Sequence, residues 1–311
     1  MVLSWQRSWA VGGLVSLILF SLPVHALAEG FAEDLPEGIF ERLPDHGPKL
    51  PDEWAPPAPE SNNPAPVGKR VAIYADNGVW DMGENHFKRL LASAGYAYRT
   101  LSAKDIQAGQ LTLDAYDLLL MPGGKSWIYL EDLGETGAKA IRDYVAAGGS
   151  YFGTCAGAFY ATSLRKDRHR DNIPYGIGLL EGTAYDGTSL GTRPFVSGMM
   201  NIDYTLKDFK QDYRVLLLGG PALLYTEEEA RKKNIRVLAT FEGFGKPAMI
   251  TFNYGQGRVA LAGPHGEIEE SQAYLGLKWK DPDSEWPILK KVMAYLKGGP
   301  APELRSKSTR R

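Results

Sequence analysis

Between residues 70 and 165 two textures alternate, and that alternation restricts the fold more than any other feature. Four short apolar runs, RVAIYA, AYRTL, YDLLLM and SYFGTC, are set among longer stretches, two of which have helical spacing. Residues 84–95, ENHFKRLLASAG, carry one such stretch with a Gly stop; residues 134–149 carry another, with Ile141, Tyr144 and Val145 on one face and Gly-Gly at its end. A further stretch, AGAFYATSL, opens a helix after the fourth run. Strands that alternate with helices pair in parallel through right-handed crossovers, and ligands then gather at the carboxyl ends of the strands. The expected fold is therefore α/β, a doubly wound and mostly parallel sheet. After Pro174 the sequence turns β-rich, with GIGLLEGTAYDG, FVSGMMNIDYTL, YRVLLLGGPALL and IRVLATFEG extended. PAMITFNYGQGRVALAG reads as a hairpin turning at YGQG, and SEWPILKKVMAYLKGG as a closing helix.

The ends of the chain differ from this middle. Residues 1–28 read as a signal peptide: Arg7, the apolar run AVGGLVSLILFSLPV, then ALA before a cut after Ala28. The competing reading is an uncleaved anchor, for which the apolar run is short. Residues 29–68 are too rich in proline for helix or central strand and read as a linker or wrapping arm. One domain is expected over residues 69–299, followed by a basic tail at 300–311. Export to the periplasm or beyond follows from the leader, with no stable membrane span after cleavage. A formal net charge of −2 without basic blocks argues against nucleic acid as a partner. No cofactor or metal is expected; oligomeric state is open.

The only cysteine, Cys155, lies in GTCAGAFY between an expected strand and an expected helix. A lone cysteine in an exported chain has no intramolecular disulfide partner, so it is either a buried packing residue or a thiol kept for chemistry. Gly-x-Cys-x-Gly in this context is the thiol form of a nucleophile elbow, in which the residues two before and two after must be small. Gly153 and Gly157 meet that demand. The helix start favours a thiolate, and the Ala156 N–H offers an oxyanion donor, with Gly123 or Gly124 of MPGGK supplying a second. Of the five histidines, His265 follows an apolar strand, with Glu267 two residues on; base and orienting acid are the roles expected of them. His86 reads as a surface or capping residue, and His169 as part of a solvated charge run. Asp76 and Trp80 after the first strand, and Trp127 and Tyr129 after the Pro-Gly-Gly loop, are weaker candidates for the mouth of a substrate site.

MPGG after the third strand, GTCAG after the fourth and PHGE late in the chain together resemble the class I glutamine amidotransferase-like superfamily, which has a flavodoxin-like sheet. AAGGSYFGTCAGAFYA and GQGRVALAGPHGE bring the resemblance to the branch related to the N-terminal domain of biotin–protein ligases. It extends over residues 70–270. It implies Cys155 as nucleophile, His265 as base, Glu267 as orienting acid, and an oxyanion hole from Gly123 or Gly124 with Ala156. Two positions depart from the pattern. Phe159 stands where glutaminases carry the Gln that holds glutamine, and Gly266 stands where the branch has Pro. Glutamine hydrolysis is accordingly not expected; biotin ligation is not expected either, because the resemblance is to the accessory domain of those ligases and not to their ligating domain.

The expected activity is hydrolysis of an unknown amide, acyl or peptide substrate through a thioester. Three alternatives remain. One is a catalytically silent ligand- or partner-binding protein on the same fold. Another is an α/β-hydrolase-like enzyme whose acid is Asp186, Asp203, Asp208 or Asp212. The last is a redox-sensing thiol.

Overall fold

The structure is a computed structural model that describes residues 50–54, 70–166, 172–186, 197–269, 272–274, 277–279 and 281–306. The leader, most of the proline-rich arm, His25, His46, His169 and residues 307–311 lie outside the described residues.

Strands β2 (Arg70–Tyr74), β3 (Tyr98–Leu101), β4 (Tyr116–Met121), β5 (Ser150–Thr154) and β14 (Gly257–Ala262) form the parallel block. Their spatial order is β3-β2-β4-β5-β14. Counted along the chain that is 2-1-3-4-5, the flavodoxin-like order. Side chains alternate across it as a two-residue period demands. Val71, Ile73, Leu118, Leu120 and Phe152 face helices α1 (Asp81–Ser93) and α6 (Trp286–Leu296). Ala72, Tyr74, Leu119, Met121 and Tyr151 face α2 (Ala103–Gln107), α3 (Ser126–Ala146) and α4 (Ala156–Ala161). Both faces are buried, which is why these strands read as continuous apolar runs.

The β-rich part extends the same sheet. Beyond β14 come β13 (Pro247–Tyr254), β12 (Arg236–Phe241), β9 (Ser197–Tyr204) and β10 (Asp212–Leu218), all antiparallel. The expected hairpin pairs Tyr254 with Gly257. Strand β10, last in this order, returns to the site: the His265 N–H donates to the Leu216 carbonyl at 2.7 Å. The antiparallel half thus curls until its edge meets the segment following β14. A second sheet, in the order β11-β8-β6-β7, contains β6 (Thr162–Lys166), β7 (Ile173–Pro174), β8 (Leu180–Tyr185) and β11 (Ala222–Tyr225).

Several local expectations shift. Helix α3 begins at Ser126 rather than near Gly134, which instead breaks it with φ 52°. The helix after Cys155 ends at Ala161, and Thr162 opens β6. Its hydroxyl donates to the Phe159 carbonyl at 2.9 Å, closing the last turn. Part of the proline-rich arm belongs to the sheet. Its β1 (Glu53–Trp54) pairs antiparallel with β3, and Trp54 stacks on Tyr98 with ring centroids 6.1 Å apart. At the other end, the Lys207 N–H donates to the Glu303 carbonyl at 2.9 Å, so the start of the expected tail is docked. Among the described residues no helix is long and apolar enough to cross a membrane.

Candidate active site

Three loops that leave the carboxyl ends of β4, β5 and β14 converge on one point. After β5 the chain turns sharply at Cys155, with φ 49° and ψ −105°. A non-glycine residue in that region carries strain of order 1 kcal/mol or more, and persists only where its surroundings dictate it. Those surroundings are visible. The Cys155 N–H donates to the Ala262 carbonyl at 2.8 Å, and the Gly157 N–H to the Pro122 carbonyl at 3.2 Å. A Cβ on Gly153 would come within 2.6 Å of the Gly157 carbonyl carbon, and one on Gly157 within 2.8 Å of Met121 Cβ. Both positions flanking the thiol must therefore be glycine.

His265 is held just beyond β14. Its Nδ1 donates to Glu267 Oε1 at 2.7 Å, and Trp80 packs edge-on against the ring at 5.0 Å. Gly123 lies beneath the ring: a Cβ there would sit 2.4 Å from His265 Cε1 and 3.4 Å from Cys155 Cβ. The other ring nitrogen, Nε2, makes no well-formed hydrogen bond among the described residues. Burial disfavours the imidazolium, but the charge of Glu267 and then that of Cys155, helped by the hydrogen bond to Glu267, outweigh it and raise the pKa to about 10. The Glu267 carbonyl accepts from Trp286 Nε1 at 2.9 Å, which ties the turn to α6. None of the four aspartates considered as an alternative acid occupies the Nδ1 side of His265, so the α/β-hydrolase arrangement is not the one adopted.

The Pro-Gly-Gly loop shows how donors are aimed. The Gly123 carbonyl accepts from the Trp80 N–H at 2.9 Å and from the Tyr129 hydroxyl at 3.0 Å, and the same hydroxyl reaches the Pro122 carbonyl at 3.2 Å. In a trans peptide the next N–H points opposite its carbonyl. Fixing these two carbonyls therefore turns the N–H groups of Gly123 and Gly124 to the other side. Gly124 has φ 146°, and a Cβ there would run into Gly78. Ala156, at the first position of α4, has an N–H without an intrahelical partner by construction.

Four sequence expectations need correction. Trp80 is 1% exposed and Tyr129 fully buried, so they brace His265 and the Pro-Gly-Gly loop instead of lining a mouth. Asp76 accepts from the N–H groups of Ala103 (2.8 Å) and Asn77 (2.8 Å), a structural cap joining two loops. His86 is not on the surface but 1% exposed, with Nδ1 against the Met82 carbonyl at 2.9 Å. Trp127 is half-buried at the start of α3. Phe159 packs with Tyr175 and Ala184, and the Arg165 guanidinium lies over both rings at 5.2 and 5.5 Å. The thiol is more enclosed than an open pocket would make it: Cys155 is 4% exposed, and its Sγ approaches the Leu218 carbonyl at 3.5 Å. The part played by β10, through Leu216 and Leu218, has no local signal in the sequence.

Comparison with known proteins agrees with this architecture. A protein of Chlamydia muridarum described as uncharacterized is 28% identical over 213 residues, covering 64% of this chain and 80% of its own. The biotin–protein ligase of Schizosaccharomyces pombe is 27% identical over 191 residues, or 58% of this chain but only 30% of the ligase. A solved glutamine amidotransferase superposes with a TM-score of 0.52 at 19% identity, over 74% of this chain and 99% of its own, which establishes a shared fold. The family described as "Biotin-protein ligase, N terminal" matches residues 69–295, and the chain belongs to that family.

Proposed function

We propose that the protein is a cysteine-nucleophile hydrolase of an amide or acyl bond. The observation that carries this reading is the strained Cys155 turn set beside a His265 whose Nδ1 is fixed by Glu267 at 2.7 Å. The sulfur of Cys155 attacks the substrate carbonyl. The oxyanion is taken up by the N–H of Ala156 with that of Gly123 or Gly124. As the carbon–nitrogen or carbon–oxygen bond breaks, the imidazolium of His265 gives its proton to the leaving group, which departs and leaves a thioester. Water then attacks the thioester, His265 takes the water's proton, and the acid is released with the thiolate restored. Glutamine is disfavoured as substrate because Phe159 fills the position of the glutamine-holding residue and is itself covered by Arg165.

The test is direct because the chain has one thiol. An electrophilic acyl probe should label wild type but not Cys155→Ala. Hydrolysis found in a panel of acyl amides and peptides should vanish in His265→Ala. Equal labelling of both proteins would remove Cys155 from the chemistry. A second reading, a silent binding protein, is favoured by the 4% exposure of Cys155. It requires equal ligand-induced thermal stabilisation of wild type and Cys155→Ala, and no turnover. We place the reaction outside the cytoplasm on the strength of the N-terminal leader pattern; recovery of a tagged full-length chain only in the cytoplasmic fraction would overturn that placement.

A further inference from the structure

Behind the His265–Glu267 pair lies another buried carboxyl that the chemistry above does not use. Glu285 precedes α6 and is fully buried, and neither side-chain oxygen has a hydrogen-bond partner among the described residues. It rests against the peptide between the two site residues: a Cβ on Gly266 would lie 3.2 Å from Glu285 Cβ and 3.6 Å from its Cγ. The next residue, Trp286, holds the Glu267 carbonyl through Nε1 at 2.9 Å. Two consecutive residues at the start of α6 therefore grip the turn that carries His265 and Glu267. A proline at position 266, the residue expected from the resemblance, would contest the space that Glu285 fills.

Among the described residues no cation pairs with Glu285, and only the start of α6 and a backbone N–H favour its charge. Asp281, Glu269 and Asp283 face it from its own loop and the segment after the site. Tyr204 of β9, fully buried, faces both Glu285 and Glu267. The nearby cation Lys210 pairs with Asp283, and His86 acts on Glu269, whose Oε1 accepts from Ser284 Oγ at 3.0 Å. An ionised carboxylate in such a place is strongly disfavoured, whereas a protonated one is a small polar wedge. Burial first, and then the three acids, raise its pKa to about 10.

We propose that Glu285 is a positioning residue for Cys155, His265 and Glu267: as a neutral carboxyl it wedges α6 against Gly266 and so fixes the turn that aims His265. This rests on the reading of Cys155 as nucleophile with His265 as its proton partner. Gly266 is then glycine to admit the wedge.

The experiment is the rate of Cys155 alkylation by iodoacetamide from pH 5.5 to 9, with thermal midpoints measured in parallel. Wild type, Glu285→Gln, Glu285→Ala and His265→Gln are compared. Glutamine imitates the neutral acid, so its alkylation profile should match wild type. Its thermal midpoint should exceed wild type by a margin that grows from pH 6 to pH 9. Alanine removes the wedge, and at pH 6.5 the folded variant should alkylate about tenfold more slowly, approaching His265→Gln. The inference is overturned if Glu285→Ala superimposes on wild type, or if Glu285→Gln is as slow as Glu285→Ala. If the alanine variant does not fold, equal midpoints for Glu285→Gln and wild type at both pH values overturn it alone. If His265→Gln alkylates as fast as wild type, the nucleophile reading falls and this inference with it. If only the Glu285 variants match wild type, this inference alone falls.

Discussion

Substituting Gly123 by alanine perturbs the site with a single atom. Gly123 is not in a left-handed conformation, so the backbone accepts alanine; the cost lies in where the methyl group points. That methyl would stand 2.4 Å from His265 Cε1. Carbon atoms rest at about 3.5 Å, so the ring must retreat by about 1 Å. Trp80 stands edge-on against the ring at 5.0 Å, so the displacement is taken up by tilting away from Cys155 and Glu267. A misplacement of that size costs about 10²-fold in a reaction that depends on alignment, equivalent to about 2.7 kcal/mol of barrier. The assay is iodoacetamide alkylation at pH 6.5 followed by mass spectrometry, in which every adduct reports on Cys155 because it is the sole thiol. Circular dichroism should show an unchanged fold. A folded Gly123→Ala protein that alkylates at the wild-type rate would refute the claim that His265 acts on this thiol.

Further expectations follow from the same geometry. In Glu267→Gln the largest favourable influence on the His265 cation is lost and burial remains, so its pKa should fall. Because the folded value is the raised one, His265 contributes stability that is complete below about pH 6.5 and lost as pH rises towards about 10. NMR of ¹³C-labelled histidine should show His265 protonated at pH 8 in wild type and neutral in Glu267→Gln; identical titrations would contradict this. Gly157→Ala forces a methyl to 2.8 Å from Met121 Cβ and against the backbone of β4, which should cost about 3 kcal/mol. Calorimetry should find Tm lower by roughly 6–12 °C, and an unchanged Tm would mean the elbow is not tightly packed. Trp54→Ala removes the ring stacked on Tyr98 at the sheet edge, with an expected loss of about 1 kcal/mol in urea denaturation and no change in alkylation.

The parallel block was legible because burial on both faces writes unbroken apolar runs, and because Gly153 and Gly157 are demanded by the turn they flank. The pairing of His265 with Glu267 was legible from a spacing of two residues. The short helices α2 and α5 (Glu227–Lys233) went unread, since five to seven residues span fewer than two turns and leave no repeating pattern. The curl of the antiparallel half was equally hidden, because β9 pairs not only with its sequence neighbour β10 but also with β12, and the latter is a choice among long-range partners. Aromatic residues after strands carried no mark of direction: Trp80 and Tyr129 face inward because His265 and the Pro-Gly-Gly carbonyls need backing. Glu285, in DPDSEW, reads as an ordinary acidic helix start, and only its contact with Gly266 sets it apart.

The hydrogen bond from His265 to Leu216 also bears on how the molecule matures. Strand β10 reaches the site only after β14, β13, β12 and β9 are in register, because it is the last strand in that order. The His265–Leu216 contact depends on that whole run of pairings, so it forms no earlier than they do. The parallel block can thus hold Cys155 in its turn while the histidine is still unanchored. During refolding, enhanced thiol reactivity should then lag behind the recovery of helical circular dichroism. The lone cysteine becomes a built-in clock for the closing of the sheet.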